Sequence, residues 1–144
     1  MLFRSALIAV RPELRADFER NHKRFVSELQ ALDGELRQRL ADKQQRHFMV
    51  FHPSWGYFAD AYGLTQIPIE AGWKEPGPQT LARLIDEAKR RQIRVIFVQQ
   101  QFSRREAETV ASAIGGEVLA VDPLAPDYLA NLRRVGETFA RVLQ

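Results

Sequence analysis

The apolar residues in the first third of the chain recur at helical spacing. Between Pro12 and about Gln45 they follow one another in steps of three, four and seven, which places them in one stripe along a single helix. The stripe consists of Leu14, Phe18, Phe25, Leu29, Leu32, Leu36 and Leu40. A helix of roughly 34 residues would be about 50 Å long. Since Pro12 suits a first helical turn, we predict that Leu2 to Val10 forms a separate, shorter helix.

From residue 47 onward, short apolar runs of strand length alternate with helical patterns. The predicted strands are His47–Phe51, Thr65–Ile69, Arg94–Val98 and Glu117–Val121, and an aromatic-rich turn, 55–58, follows the first. Further helices are predicted from Pro78 to about Arg91, from a capping box at Ser103 and Glu106 to Ile114, and from near Pro126 onward. Strands that alternate with helices predict right-handed crossovers in a mostly parallel sheet.

The predicted fold class is therefore α/β. We expect a single lobe of about four mostly parallel strands covered by helices, with the long amino-terminal helix attached as a spine. Residues 1–46 form the helical segment, and residues 47–144 form the α/β lobe.

Composition and charge narrow the function classes. The 144 residues carry a formal charge of +3, but the basic side chains lie in helix ends or beside glutamates and form no aromatic-interleaved strip, so nucleic-acid binding is not expected. The absence of cysteine excludes disulfides and thiolate metal sites. No run approaches the ~18 apolar residues of a membrane helix, and the short apolar start is interpreted as a helix rather than a signal peptide.

Polar residues follow the predicted strands, at the edge where open parallel sheets bind ligands. These residues are His52, Glu70, Gln99 to Gln101, and Asp122. An imidazole and a carboxylate suit zinc or manganese, which makes His52 and Asp122 candidate metal ligands. The residues alone leave open that His52 is a hydrogen-bonded structural histidine and that Asp122 starts a turn. His22 is interpreted as a seam residue of the long helix and His47 as a surface residue at the opposite edge.

Enzyme signatures are missing from the chain. No nucleophile elbow, P-loop or His-Glu-x-x-His sequence occurs, so no catalytic residues are assigned. Glu70 and Glu75 flank a loop rich in glycine and proline, and we interpret them as solvated loop charges. A hydrolase that uses His52 as base and Asp122 as its orienting group is the least favoured reading, because Ser54 is no convincing nucleophile.

Several motifs, in order, resemble those of one protein family. The runs Phe51-His-Pro-Ser-Trp-Gly-Tyr-Phe58 and Tyr62-Gly-Leu64 are similar to the segment that supplies the third metal ligand in cluster A-I solute-binding proteins. These proteins are the zinc- and manganese-carrying receptors of ABC uptake systems. Similar matches to the family are Glu75-Pro-Gly-Pro78, Gln101-Phe-Ser103, and Leu119-Ala-Val-Asp-Pro-Leu124 with Tyr128 and Asn131, the last resembling the segment that bears the fourth ligand. The resemblance extends from about Ala6 to the carboxyl end.

The resemblance implies a carboxy-terminal lobe in which His52 and Asp122 bind the metal. A histidine at position 52 accompanies zinc in this family, so Zn²⁺ is favoured, Mn²⁺ comes second, and a metal-free isolated chain stays open. The implied partners are an amino-terminal lobe with two further histidines and an ABC permease, at a periplasmic or extracellular location.

Two departures from the family pattern qualify this expectation. The amino-terminal lobe and the signal peptide are absent from the sequence, and Gln99-Gln100 replaces the usual Glu-Pro. We therefore expect a truncated lobe with only part of a metal site, and an altered hydrogen-bond network at the sheet edge. The alternative is an interaction module without tight metal binding, which forms a homo-oligomer through the exposed spine helix.

Overall fold

The strands form a four-stranded, fully parallel sheet, as the alternating pattern predicts. In the computed structural model, which describes residues 2–70, 72, 76–99 and 104–143, the strand order is β2-β1-β3-β4. The strands are β1 His47–Val50, β2 Thr65–Pro68, β3 Val95–Val98 and β4 Glu117–Ala120. The two interior strands, β1 and β3, contain the most deeply buried apolar residues, because helices cover them on both faces.

Helices precede and connect these strands. They are α1 Leu2–Val10, α2 Arg15–Leu40, α3 Gly56–Ala61, α4 Pro78–Arg90, α5 Arg105–Ile114 and α6 Tyr128–Val142, with a 3-10 turn at Pro12–Leu14. None of these described helices combines the length and apolar character needed to span a bilayer. The separate first helix and the long second one confirm the expected arrangement at the amino terminus.

The long helix is shorter than its apolar stripe predicts. It spans 26 residues and ends at Leu40 rather than near Gln45. The guanidinium of Arg46 folds back and donates to the carbonyl oxygens of Leu40 (2.9 Å) and Ala41. Those carbonyls have no helical partner at the last turn, and the cation satisfies them and complements the helix dipole.

Three local predictions about turns and helix ends have different outcomes. The aromatic stretch expected to be a turn is instead the start of helix α3, because Trp55 and Ala59 are buried against the core and hold this stretch in helical form. The capping box rests on Ser103, which lies outside the described residues. Helix α5 ends as predicted at Gly115, whose φ of 64° gives the left-handed cap that glycine favours.

Apolar residues on the two faces of the sheet form two separate cores. Alternation along β1 sends Phe48 and Val50 to one face and Met49 to the other. The first face packs under α2, α3 and α6, with Phe139 of α6 at the centre of an aromatic cluster. Its ring stacks on Phe97 at 4.3 Å and meets Phe48 edge-on at 4.7 Å. The second face packs under α4 and α5.

Helix α2 packs on the last helix, α6, through its carboxyl half. Gly136 of α6 leaves the space that the side chain of Leu36 occupies. Beside this contact, Arg133 pairs with both carboxylate oxygens of Glu35, at 2.8 and 3.2 Å. Burial along the stripe is restricted to Leu32, Leu36 and Leu40. Several apolar residues of the amino half and of α1 are exposed, among them Phe3, Val10 and Phe25, whereas Ile8 of α1 is buried.

Candidate metal centre

The carboxyl edge of the sheet brings together the polar residues that follow the strands. Hydrogen bonds continue the pairing one residue beyond β1, β2 and β4: Phe51 N donates to Phe97 O, Ile69 N to Val50 O, and Val121 N to Val98 O. The next residue in each chain segment is then polar, namely His52, Glu70, Gln99 and Asp122. The predicted meeting of these residues at one edge therefore follows from the parallel pairing.

His52 and Glu70 form a hydrogen-bonded pair. The Nδ1 atom of His52 lies 2.8 Å from Glu70 Oε2, with 17% of the His52 side chain and 6% of the Glu70 side chain exposed. The pair exists because β2 lies directly beside β1, and Glu70 N donates to Phe51 O at 3.0 Å. A carboxylate on one ring nitrogen is the arrangement that orients histidine ligands in many metal sites.

The interpretation of Glu70 as a solvated loop charge is wrong. The side chain is buried, and a buried carboxylate is costly unless it is hydrogen-bonded. Its neighbour in that interpretation, Glu75, lies outside the described residues. The sequence shows that Glu70 and His52 each directly follow an apolar strand. It does not show that these two strands are neighbours in the sheet, so the contact between the two side chains could not be predicted.

Asp122 is held by two hydrogen bonds at the end of β4. Its Oδ1 accepts from Leu124 N at 2.8 Å, which closes a tight turn through Pro123. Its backbone carbonyl accepts from the side-chain amide of Asn131, a buried residue of α6, at 2.6 Å. Asp122 therefore starts a turn, which is the alternative to metal binding that the sequence left open. Its carboxylate still lies at the same sheet edge as His52.

Strand β3 separates the two candidate ligands. The strand order places β1 and β4 two spacings apart, or about 9–10 Å between backbones. Between them, Gln99 is buried and its amide donates to Ser54 Oγ in the turn after His52. The described residues contain no group of three or more His, Cys, Asp or Glu side chains that could hold a metal ion. The described part of the chain therefore offers fewer protein donors than a tetrahedral zinc site requires.

The remaining histidines lie elsewhere. His47 is the first residue of β1, so it lies at the amino edge of the sheet, where Nε2 contacts Arg91 Nη1. Burial, followed by the nearby Arg91 guanidinium, lowers the pKa of His47. His22 is half-buried in the middle of α2. Neither residue lies at the carboxyl edge.

Comparison with known proteins identifies relatives of the whole chain. The family described as "Zinc-uptake complex component A periplasmic" (ZnuA) matches residues 2–142. The high-affinity zinc uptake system protein ZnuA of Bacillus subtilis is 34% identical over 116 residues, which are 78% of this chain and 36% of that protein. The zinc-binding lipoprotein AdcA of Streptococcus pneumoniae is 28% identical over 98% of this chain and 28% of that protein.

Solved structures agree with this assignment. A crystal structure of ZnuA superposes with a TM-score of 0.96 at 42% identity, over 99% of this chain and 54% of that one. The laminin-binding protein Lmb of Streptococcus agalactiae, described as an adhesin with metal transporting activity, gives a TM-score of 0.91 at 26% identity, over 98% of this chain and 58% of that one. The chain thus spans about a third of the curated relatives it matches and just over half of these solved chains. It belongs to the ZnuA family of zinc- and manganese-binding ABC solute-binding proteins, which are transport components and not enzymes.

Proposed function

We propose that this chain is a carboxy-terminal lobe that captures a zinc ion as cargo for uptake by an ABC transporter, with His52 and Asp122 as its two ligands. The observation that carries the proposal is the pairing of His52 with a buried carboxylate at the sheet edge that also presents Asp122. A neutral imidazole and a carboxylate are donors that zinc accepts. A ZnuA deletion mutant at 42% identity and a TM-score of 0.93 was solved with zinc bound.

The rest of the coordination shell comes, in this proposal, from outside the chain. Two protein donors leave further positions of a tetrahedral ion for water or for another lobe. The relatives are longer than the part this chain matches, and their additional length is the source we propose. In that arrangement residues 1–46 act as a spine, residues 47–144 act as the metal-binding lobe, and the complete receptor works outside the cytoplasmic membrane with an ABC permease.

Zinc titration of the purified chain tests the two ligands. We expect calorimetry to show weak binding to the unaltered chain and none to His52→Ala or Asp122→Ala. His47→Ala removes an imidazole at the opposite sheet edge, and Asp86→Ala removes an exposed carboxylate of α4, so both should bind zinc as the unaltered chain does. Unchanged binding in His52→Ala and Asp122→Ala would reject the assignment. The same titration with Mn²⁺ determines which ion the site prefers.

A second candidate function is an interaction module, and one observation favours it. Phe3 and Val10 of α1 are 87% and 75% exposed, and Phe25 on the stripe of α2 is 47% exposed. Such an apolar flank suits a protein partner, either a second copy or the remaining lobe. Light scattering at increasing concentration tests self-association. If the chain is monomeric at all concentrations, self-association is rejected, and another lobe is then the proposed partner of these exposed residues.

A further inference from the structure

Glu70 offers a role that goes beyond the two proposed ligands. It rests on the proposed function of His52 and concerns the state in which the chain presents that ring. The described residues place the Glu70 carboxylate 2.8 Å from Nδ1 and keep both side chains largely out of water. We propose that Glu70 is a positioning residue that holds His52 in the tautomer protonated at Nδ1, so that the lone pair for the metal is on Nε2.

The chemistry of the two groups supports this assignment. An ionised carboxylate only accepts hydrogen bonds, so a neutral ring that bonds to it must donate, and the donor here is Nδ1–H. The neutral imidazole has one protonated and one bare nitrogen, and protonation of Nδ1 leaves the lone pair on Nε2. A metal binds only the bare nitrogen, and the unfavoured tautomer would have to be converted before binding.

Burial makes the restraint stronger. A hydrogen bond to an ionised group is roughly twice as strong as one between neutral groups, and the low dielectric of the interior strengthens it further. Glu70 is itself held in place, since its backbone amide donates to Phe51 O at 3.0 Å. The ring of His52 is thus held by a residue that follows the neighbouring strand.

The geometry also explains why strand β2 matters to the site. The strand supplies no ligand in the proposed function, yet it ends at the residue that orients one. Pairing of Met49 with Ile67 and of Val50 with Pro68 sets the register that brings Glu70 level with His52. A shift by one residue would turn the Glu70 side chain to the other face of the sheet.

Nuclear magnetic resonance of the metal-free chain tests the tautomer directly. Two-bond proton–nitrogen correlation spectra distinguish the protonated from the bare ring nitrogen, and His52→Ala identifies the signals of His52. The spectra are recorded at alkaline pH, where imidazoles are neutral, and we expect the His52 ring to carry its proton at Nδ1 alone. Glu70→Gln and Glu70→Ala should give a mixture of both tautomers, because an amide can donate as well as accept and a methyl group does neither. An unchanged Nδ1-protonated ring in both variants would overturn the proposal.

Zinc binding by the same variants provides the second measurement. We expect calorimetry with zinc chloride to show about 10- to 100-fold weaker binding by Glu70→Gln and Glu70→Ala than by the unaltered chain. Glu117→Gln, a glutamate at the amino end of β4, is the matched control and should bind normally. Circular dichroism confirms that each variant is folded. If His52→Ala abolishes binding while both Glu70 variants bind normally, the positioning role fails and the ligand assignment stands. If His52→Ala also binds normally, the proposed function itself fails.

Discussion

Asn131 and Asp122 are joined by a short hydrogen bond from a side chain to the backbone. The Asn131 amide of α6 donates to the Asp122 carbonyl at 2.6 Å, across nine positions of the chain. Asn131 is 8% exposed, so water does not readily replace its amide. Helix α6 therefore anchors the turn that carries one of the two proposed ligands.

Removal of this anchor should destabilise the fold. We expect Asn131→Ala to lower the free energy of unfolding by about 1–3 kcal/mol, because the half-buried Asp122 carbonyl loses its donor. Asn131→Asp keeps the size of the side chain but places a carboxylate against the carbonyl oxygen, so its loss should be at least as large. Urea denaturation measures both values. Asn131→Asp as stable as the unaltered chain would show that the bond contributes nothing.

Two glycines in helices should respond in opposite ways to the same substitution. A methyl group on Gly136 would overlap Leu36 Cδ2, and Leu36 is fully buried, whereas nothing lies within 4 Å of the methyl position on Gly34. We expect Gly136→Ala to cost about 1–3 kcal/mol through overpacking. Gly34→Ala should raise stability by up to ~1 kcal/mol through helix propensity. Equal stabilisation in both variants would mean that α2 and α6 are less closely packed than described.

The aromatic cluster on one face of the sheet should depend on a single ring. Phe139 is fully buried and contacts the rings of Phe48, Trp55, Phe58 and Phe97. We expect Phe139→Ala to lower the free energy of unfolding by about 3–5 kcal/mol. Phe25→Ala makes the same change at an exposed site and should stay within about 0.5 kcal/mol. Similar losses in the two variants would contradict the described core.

Acid should destabilise the fold through His47. Burial and the Arg91 guanidinium lower the pKa of His47 from 6.5, so below that pH the unfolded ring takes up a proton that the folded ring does not. The unfolded state then binds more protons, and the free energy of unfolding falls as pH decreases. We expect the difference in stability between pH of about 7.5 and 5.5 to be smaller in His47→Gln than in the unaltered chain.

Substitution of a nearby residue that does not titrate controls for local disturbance of the fold. Gln45 donates to the Arg91 carbonyl, so Gln45→Ala disturbs the same corner of the fold. Its loss of stability should be equal at the two pH values. Identical pH dependence in His47→Gln and the unaltered chain would show that His47 does not respond to acid in this way.

Local sequence patterns predicted the elements but not their neighbours. The β-branched run that contains Val95 and Ile96 and the glycine stop at Gly115 depend on interactions within a few residues, so their positions were predicted closely. The end of α2 depends on Arg46, whose side chain reaches back six positions to a helix carbonyl. Helix α3 depends on burial of Trp55, which a local pattern of aromatic residues does not reveal.

The candidate site was likewise predicted only in part. The sequence predicted that His52, Glu70 and Asp122 would lie at one edge, because parallel strands share their direction. It did not predict that β2 lies beside β1 while β3 separates β1 from β4. The strand order is a property of the whole sheet and cannot be predicted from local patterns. Because β2 lies beside β1, Glu70 is hydrogen-bonded to His52 and is not a solvated loop charge.

The packing of α2 on α6 has a consequence for the time at which the chain can fold. Glu35 and Arg133 are 98 positions apart, so this contact cannot form until α6 has left the ribosome. Contacts over such a separation are slow to form because a long loop must close first. The packing of α2 on α6 is therefore completed only after all four strands between them have been synthesised.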